Sequence, residues 1–206
     1  MAAMASLNLT FRSRLPASDA GGLAPAIIMV HGWLGNEDVM WAFESTLPRG
    51  AAVFSPRAPF AAQSGYGWML DSDAASFEMG LAALHEFVVG LPAAFAVDPA
   101  RLVLMGFSQG AALALSAPEL ARGAALLAGF LPDQALAWAA PGRLAGRRIL
   151  NLHGERDETI PVEAARRARA VLAEAGASLT YGEYPVGHKL SAQGMRDLKA
   201  WLAEAL

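Results

Sequence analysis

Leu102-Val103-Leu104-Met105 leads directly into Gly106-Phe107-Ser108-Gln109-Gly110, and the helix formers Ala111-Ala112-Leu113-Ala114-Leu115 follow at once. Few structures accommodate that order. A buried strand must end, turn sharply and start a helix within a few residues. Strand and helix then pass each other closely, so positions 106 and 110 have to be small. So tight a turn forces Ser108 into a strained backbone conformation that lifts its hydroxyl clear of the sheet. The helix behind it aims free N–H groups and a positive dipole end at the space where negative charge would develop. The pattern is G-x-S-x-G, which chance supplies often in a chain with 20 glycines. Its setting between strand and helix turns it into a nucleophile elbow.

The rest of the chain alternates in the same way. Residues 7–15 alternate apolar and polar, as an edge strand does. Ala26-Ile27-Ile28-Met29-Val30 is wholly apolar and reads as a strand buried on both faces. Residues 51–55, 101–107, 124–128, 148–152 and 177–184 are further strands. Residues 73–91 are helical, with Phe77, Leu81, Leu84, Phe87, Val88 and Leu91 at helical spacing. Asp73 caps this helix, and Gly90 with Pro92 stops it. Helices also span 161–174, opening on a proline, and 191–206, with Met195, Leu198, Trp201 and Leu202 on one face. The 57–70 segment, with Pro59, Gly65 and Gly67, reads as an ordered loop over the sheet. The expected fold class is α/β, with a mostly parallel central sheet, helices on both faces and no large lid domain. A length of 206 residues suits one domain with one sizeable core.

Composition removes several functions. A net charge of −3 without a Lys/Arg stripe excludes nucleic acid as a partner. The absence of cysteine excludes disulfides, thiolate metal sites and a cysteine nucleophile. Apolar runs such as 124–131 fall short of the roughly 18–20 residues that cross a bilayer, so no stable membrane insertion is expected. No signal peptide is read in 1–14, Met1 to Ser6 reads as a frayed end, and a cytoplasmic location is expected.

A serine hydroxyl needs a base to activate it and a third group to orient that base. Of four histidines, His188 follows the last strand and precedes the last helix, a loop position at the carboxyl end of the sheet. His31 and His153 end strands, where such residues more often bond nearby backbone, and His85 lies mid-helix. The acid should fall between nucleophile and base, in the order Ser…Asp/Glu…His. Asp157 does so, just past a buried strand. Asp133 is the competitor, and Glu155 and Glu158 read as solvated loop charges. The oxyanion donors are expected to be the backbone N–H of Gln109 and, in the glycine-bearing loop His31-Gly32-Trp33-Leu34-Gly35, that of Trp33, with Leu34 second.

With Ser108, Asp157, His188 and the His31-Gly32 loop assembled, the chain resembles the phospholipase/carboxylesterase family of α/β-hydrolases, which includes acyl-protein thioesterases and small bacterial carboxylesterases. The resemblance runs from about residue 26 to 202. It rests on Gly106-Phe107-Ser108-Gln109-Gly110-Ala111-Ala112, on Asp157 with Ile160-Pro161, and on Tyr184-Pro185-Val186-Gly187-His188. Ser55-Pro56-Arg57-Ala58-Pro59, Gly67-Trp68 and Asp71 add to it. It implies a lidless hydrolase that cuts esters or thioesters without a cofactor or metal. Where family members more often carry Leu-Gly-Asp, this chain reads Trp33-Leu34-Gly35-Asn36-Glu37-Asp38, so a bulky Trp33 is expected to reshape the acyl site.

The expected substrate is a short to medium acyl or aryl ester, a small molecule held against apolar side chains. Leu34, Trp68, Met69, Phe130 and Leu131 are the candidate lining, with Phe60 and Tyr66 nearby. The runner-up is an acyl-protein or acyl-CoA thioesterase or lysophospholipase. A non-catalytic ligand-binding protein on the same scaffold is the alternative of another class. A homodimer is compatible with such a chain.

Overall fold

Strand β2 (Ala24–Val30) places Ala26, Ile28 and Val30 on one face and Ile27 and Met29 on the other, all fully buried. A strand buried on both faces belongs inside a sheet that is covered on both sides. The computed structural model describes residues 7–16, 22–70, 73–136 and 140–206. It contains a seven-stranded sheet in the order β1 (Phe11–Arg14), β3 (Ala52–Pro56), β2, β6 (Val97–Phe107), β7 (Gly123–Leu127), β8 (Arg148–Gly154) and β9 (Ser178–Tyr184). Only β1 runs antiparallel to its neighbour. The frayed-end reading of Met1 to Ser6 and the position of Asp71 lie outside the described residues.

Side-chain alternation along the strands divides the interior into two cores. One face packs Ile28, Val30, Leu102 and Leu104 against helices α1 (Ala74–Ala94), α2 (Gln109–Ser116) and α4 (Val162–Glu174). The other packs Ile27, Met29, Val103 and Met105 against a 3-10 helix at Val39–Thr46 and against α5 (Ala192–Ala205). A short helix, α3 (Asp133–Leu136), follows β7.

Strand order reverses direction between β2 and β6. From β2 the chain moves outward to β3, which lies beside the edge strand β1, and from β6 it moves the other way through β7, β8 and β9. Two adjacent parallel strands therefore send their following loops apart and leave a crevice at their carboxyl ends. His31 follows β2 and Ser108 follows β6, so both loops border that crevice.

Several expectations need correction. The 57–70 loop contains a hairpin, β4 (Phe60–Ala62) with β5 (Gly65–Gly67), bridged to Gly35. Helix α1 runs through Gly90 and Pro92 to Ala94. Proline lies in the last turn, where its missing N–H forfeits one bond, and the Phe95 N–H closes the helix on the Leu91 carbonyl at 2.8 Å. At 21 residues α1 is also long and apolar enough, by length and composition, to cross a membrane. Here it lies on the sheet with Phe77, Leu84, Phe87, Val88 and Leu91 buried. Asp73 caps it as expected, accepting from the Ser76 N–H at 2.7 Å.

Candidate active site

Ser108 sits between β6 and α2 with φ +54° and ψ −117°, a left-handed conformation that costs a non-glycine residue on the order of 1–3 kcal/mol. Its neighbours hold it there. The Ser108 N–H donates to the Leu127 carbonyl at 2.9 Å, and the Ala111 N–H donates to the Ser108 carbonyl at 3.0 Å. A Cβ on Gly106 would overlap the Gly110 carbonyl, and one on Gly110 would overlap the carbonyls of Val30 and His31. Both glycines are thus required by close backbone approach.

Past β8 the chain turns, and Asp157 is buried beneath the turn. Its Oδ1 accepts the N–H groups of Thr159 and Ile160, each at 2.9 Å. Its Oδ2 lies 2.7 Å from His188 Nδ1. Burial by itself would raise the carboxyl's pKa. The Ile160 N–H, His188 and the Thr159 N–H outweigh it, and the group sits below its ordinary value. An ionised Asp157 requires the proton of His188 on Nδ1, which leaves Nε2 as the free acceptor. Ser108 and His188 border one cleft, and no hydrogen bond joins their side chains among the described residues. Catalytic hydrogen bonds are often long before substrate arrives.

The loops carrying Asp157 and His188 are stitched together. The Glu155 N–H donates to the Tyr184 carbonyl at 2.7 Å and the Arg156 N–H to the Val186 carbonyl at 3.0 Å. Gly154 packs so closely on residues 186–187 that a Cβ would strike their carbonyls. The rival carboxylates lie elsewhere. Asp133 is 86% exposed and pairs loosely with Arg167 at 3.6 Å, while Glu155 and Glu158 are exposed. Buried His153 donates from Nε2 to the Ile160 carbonyl at 2.8 Å, supporting the acid's turn, and His85 is exposed.

The turn after β2 closes with the Gly35 N–H on the Gly32 carbonyl at 3.1 Å, and Leu34 takes φ +62°. Such a turn leaves the N–H groups of Trp33 and Leu34 unused by the turn itself. The turn reaches Ser108, since a Cβ at Gly32 would lie 3.1 Å from Ser108 Cβ. The Gln109 N–H is the first of α2 and has no intrahelical acceptor. His31 is fully buried and held neutral, its pKa lowered by burial.

A cleft of about 680 Å³ opens above Ser108. Trp33 and Leu34 line it together with Val39, Phe43, Thr159 and Leu190. Among the described residues no group of three or more His, Asp or Glu side chains is arranged to hold a metal.

Comparison with known proteins fits this geometry. A profile of the Phospholipase/Carboxylesterase family matches residues 66–206. The chain belongs to that family. Carboxylesterase SOBER1 of Arabidopsis thaliana is 30% identical over 115 residues, which are 53% of this chain and 50% of that protein. A probable carboxylesterase of the same plant, SOBER1-like, is 29% identical over 116 residues, 53% and 44% of the two chains. The chain thus spans about half the length of the curated relatives it matches. The solved Bacillus cereus carboxylesterase superposes with a TM-score of 0.84 at 20% identity, over 97% of this chain and 95% of that one. Esterase PE8 gives 0.81 at 24% identity, over 96% and 99%. At those identities the likeness is one of fold.

In this member of the phospholipase/carboxylesterase family, four expected lining residues lie outside the cleft. Trp68 is fully buried and Leu131 is 7% exposed, both in the core shared with α1 and α2. Met69 packs against the same core, and Phe130 is half-buried away from the cleft walls. The wall that was missed comes from Val39–Thr46 and from residues 188–195. A signal for the first existed. Asn36 Oδ1 accepts the N–H groups of Asp38 and Val39 at 2.9 and 3.2 Å, an Asx turn that starts the 3-10 helix.

Proposed function

We propose that this chain is a serine hydrolase that cleaves carboxylic esters with short to medium acyl or aryl groups, through an acyl-enzyme on Ser108. One observation carries the reading: His188, its Nδ1 tied to buried Asp157, opens on the same apolar cleft as Ser108. His188 Nε2 takes the hydroxyl proton as Ser108 Oγ bonds to the ester carbonyl carbon. The carbonyl π pair moves to its oxygen, and the N–H groups of Gln109 and Trp33 receive that oxyanion. Collapse breaks the bond to the alkoxy oxygen, which leaves with the proton from His188. Water, deprotonated by the same imidazole, then releases the acid and restores Ser108. Asp157 keeps the imidazole in the required tautomer and stabilises its cation. None of these steps calls on a cofactor.

The family assignment and the apolar cleft support this reading over a binding protein. The test is labelling with a fluorophosphonate together with Ser108→Ala. Covalent attachment at Ser108 and a loss of turnover on the order of 10⁶-fold in a folded variant are expected. An unlabelled wild type, or equal turnover in the two proteins, refutes the proposal. Comparing kcat/KM for p-nitrophenyl esters and acyl thioesters then ranks ester against thioester.

A further inference from the structure

The two N–H groups assigned to the oxyanion belong to different elements. Gln109 opens α2, and Trp33 lies in the turn after β2. No covalent path of useful length joins them, so their separation depends on packing. A continuous run of hydrogen bonds, buried except for a side bond to Met69, connects the two. Gln109 Oε1 accepts the Trp68 N–H at 2.6 Å, and Gln109 Nε2 donates to the Met69 carbonyl at 3.0 Å. The Trp68 indole N–H donates to the His31 carbonyl at 3.0 Å. His31 Nε2 accepts the Ala58 N–H at 3.0 Å, which puts the ring proton on Nδ1, where it meets the Gly32 carbonyl at 2.7 Å. Gly32 is the first residue of the turn that offers Trp33. At the other end, the Gly110 backbone touches the carbonyls of Val30 and His31.

Three features separate this run from ordinary core filling. Trp68, His31 and Gln109 are at most 6% exposed. The Gln109 amide, the Trp68 N–H groups and the His31 ring nitrogens would otherwise be buried without a partner, which is costly. Apolar residues of similar volume would fill the same space without that risk. The run also begins on the residue after the nucleophile and ends on the residue before the second donor.

We infer that Gln109, Trp68 and His31 are positioning residues that set the distance between the two oxyanion donors. None of their side chains needs to touch substrate. Their effect is on the tetrahedral transition state, where both donors must reach one oxygen, and only weakly on ester binding. The inference rests on the ester-hydrolase reading of this site. Removing a donor outright costs roughly 10²–10³ in turnover, and a misplacement of about 1 Å can cost about 10². A donor that is present but displaced should therefore cost about 10- to 100-fold.

Trp68→Phe removes the indole N–H and keeps an aromatic ring, and Gln109→Met removes both amide bonds at similar length. Trp201→Phe, in the core on the opposite face of the sheet, serves as a packing control. For each folded protein, kcat and KM on a p-nitrophenyl ester and inhibition by an alkyl boronic acid, which forms a tetrahedral adduct on the serine, are measured. In both site variants kcat should fall about 10- to 100-fold with KM within about threefold, and the boronate inhibition constant should rise in parallel with the loss of kcat. Trp201→Phe should move melting temperature and neither of the other readouts. Boronate inhibition within twofold of wild type in both site variants overturns the inference, as does their failure to fold, which would assign these side chains to stability. A wild type that neither turns over ester nor binds boronate overturns the hydrolase reading itself, and the inference with it.

Discussion

His188 Nδ1 lies 2.7 Å from Asp157 Oδ2, on a carboxylate whose other oxygen already accepts two backbone N–H groups. The carboxylate can neither swing away nor rotate freely, so its orientation, and that of the imidazole, is set by the fold. Asp157→Asn should keep the fold and lose about 10⁴-fold in kcat, because the wrong tautomer of His188 is then favoured. Asp133→Asn should stay within about twofold, since an exposed pair with Arg167 contributes little. Steady-state kinetics on both variants checks the assignment, and the reverse order would move the acid to Asp133.

Gly154 lets the loops of Asp157 and His188 touch. Gly154→Ala inserts a methyl group against the carbonyls of Val186 and Gly187, two residues and one residue before the base. We expect a stability loss of about 1–3 kcal/mol from overpacking and a kcat loss of about 100-fold from displacement of His188. Urea unfolding and ester turnover measured on the same protein separate the two effects.

The cleft wall at residues 188–195 should set acyl-chain preference. Each seated methylene is worth up to about 0.8 kcal/mol, roughly fourfold in kcat/KM. Across a series of p-nitrophenyl esters, kcat/KM should rise with chain length until the groove is filled. Leu190→Trp, which fills part of it, should lower kcat/KM for an octanoate by at least about tenfold and leave the acetate nearly unchanged. Equal losses on both esters would place the acyl chain elsewhere.

Acid sensitivity of the fold should come partly from β9. Glu183 accepts from Arg166 Nε and Nη2, at 2.9 and 2.6 Å, and from the Tyr181 hydroxyl at 2.6 Å. Arg166 first and Tyr181 second hold its carboxyl down to about 2 from an ordinary 4.5. A carboxylate with a depressed folded pKa stabilises fully above its unfolded value and loses that contribution as pH falls toward the folded one. Glu183→Gln should therefore show a smaller drop in melting temperature between about pH 5 and 3 than wild type. An unchanged drop would mean that the pair contributes nothing.

Much of this was legible in the chain itself. The step from Leu102-Val103-Leu104-Met105 through Ser108 to Ala111 admits one local geometry, so the strained turn at Ser108 and the close-packed glycines 106 and 110 were readable without coordinates. The candidates Asp157 and His188 followed from strand-end positions and from the order Ser…Asp/Glu…His, since short apolar runs mark where buried strands stop. Pocket residues were harder to read. Trp68 and Leu131 look like lining because they lie on loops, yet both are buried, and nothing local tells an inward loop side chain from an outward one. Asp133 and Asp157 both follow strands, and the contact of Asp157 with His188 is made by the stitching of residues 155–156 to 184–186, which no local pattern announces.

By itself, then, the sequence determined what short-range sterics control: where strands stop, where a serine must be strained, and which positions tolerate no Cβ. Tertiary structure decided which distant groups meet. It joined Asp157 to His188, turned Trp68 into a link between Gln109 and His31, and built the cleft from residues 39–43 and 188–195. Those outcomes depend on strand order and on helices packing across a sheet, and contacts of that range leave no periodic trace along the chain.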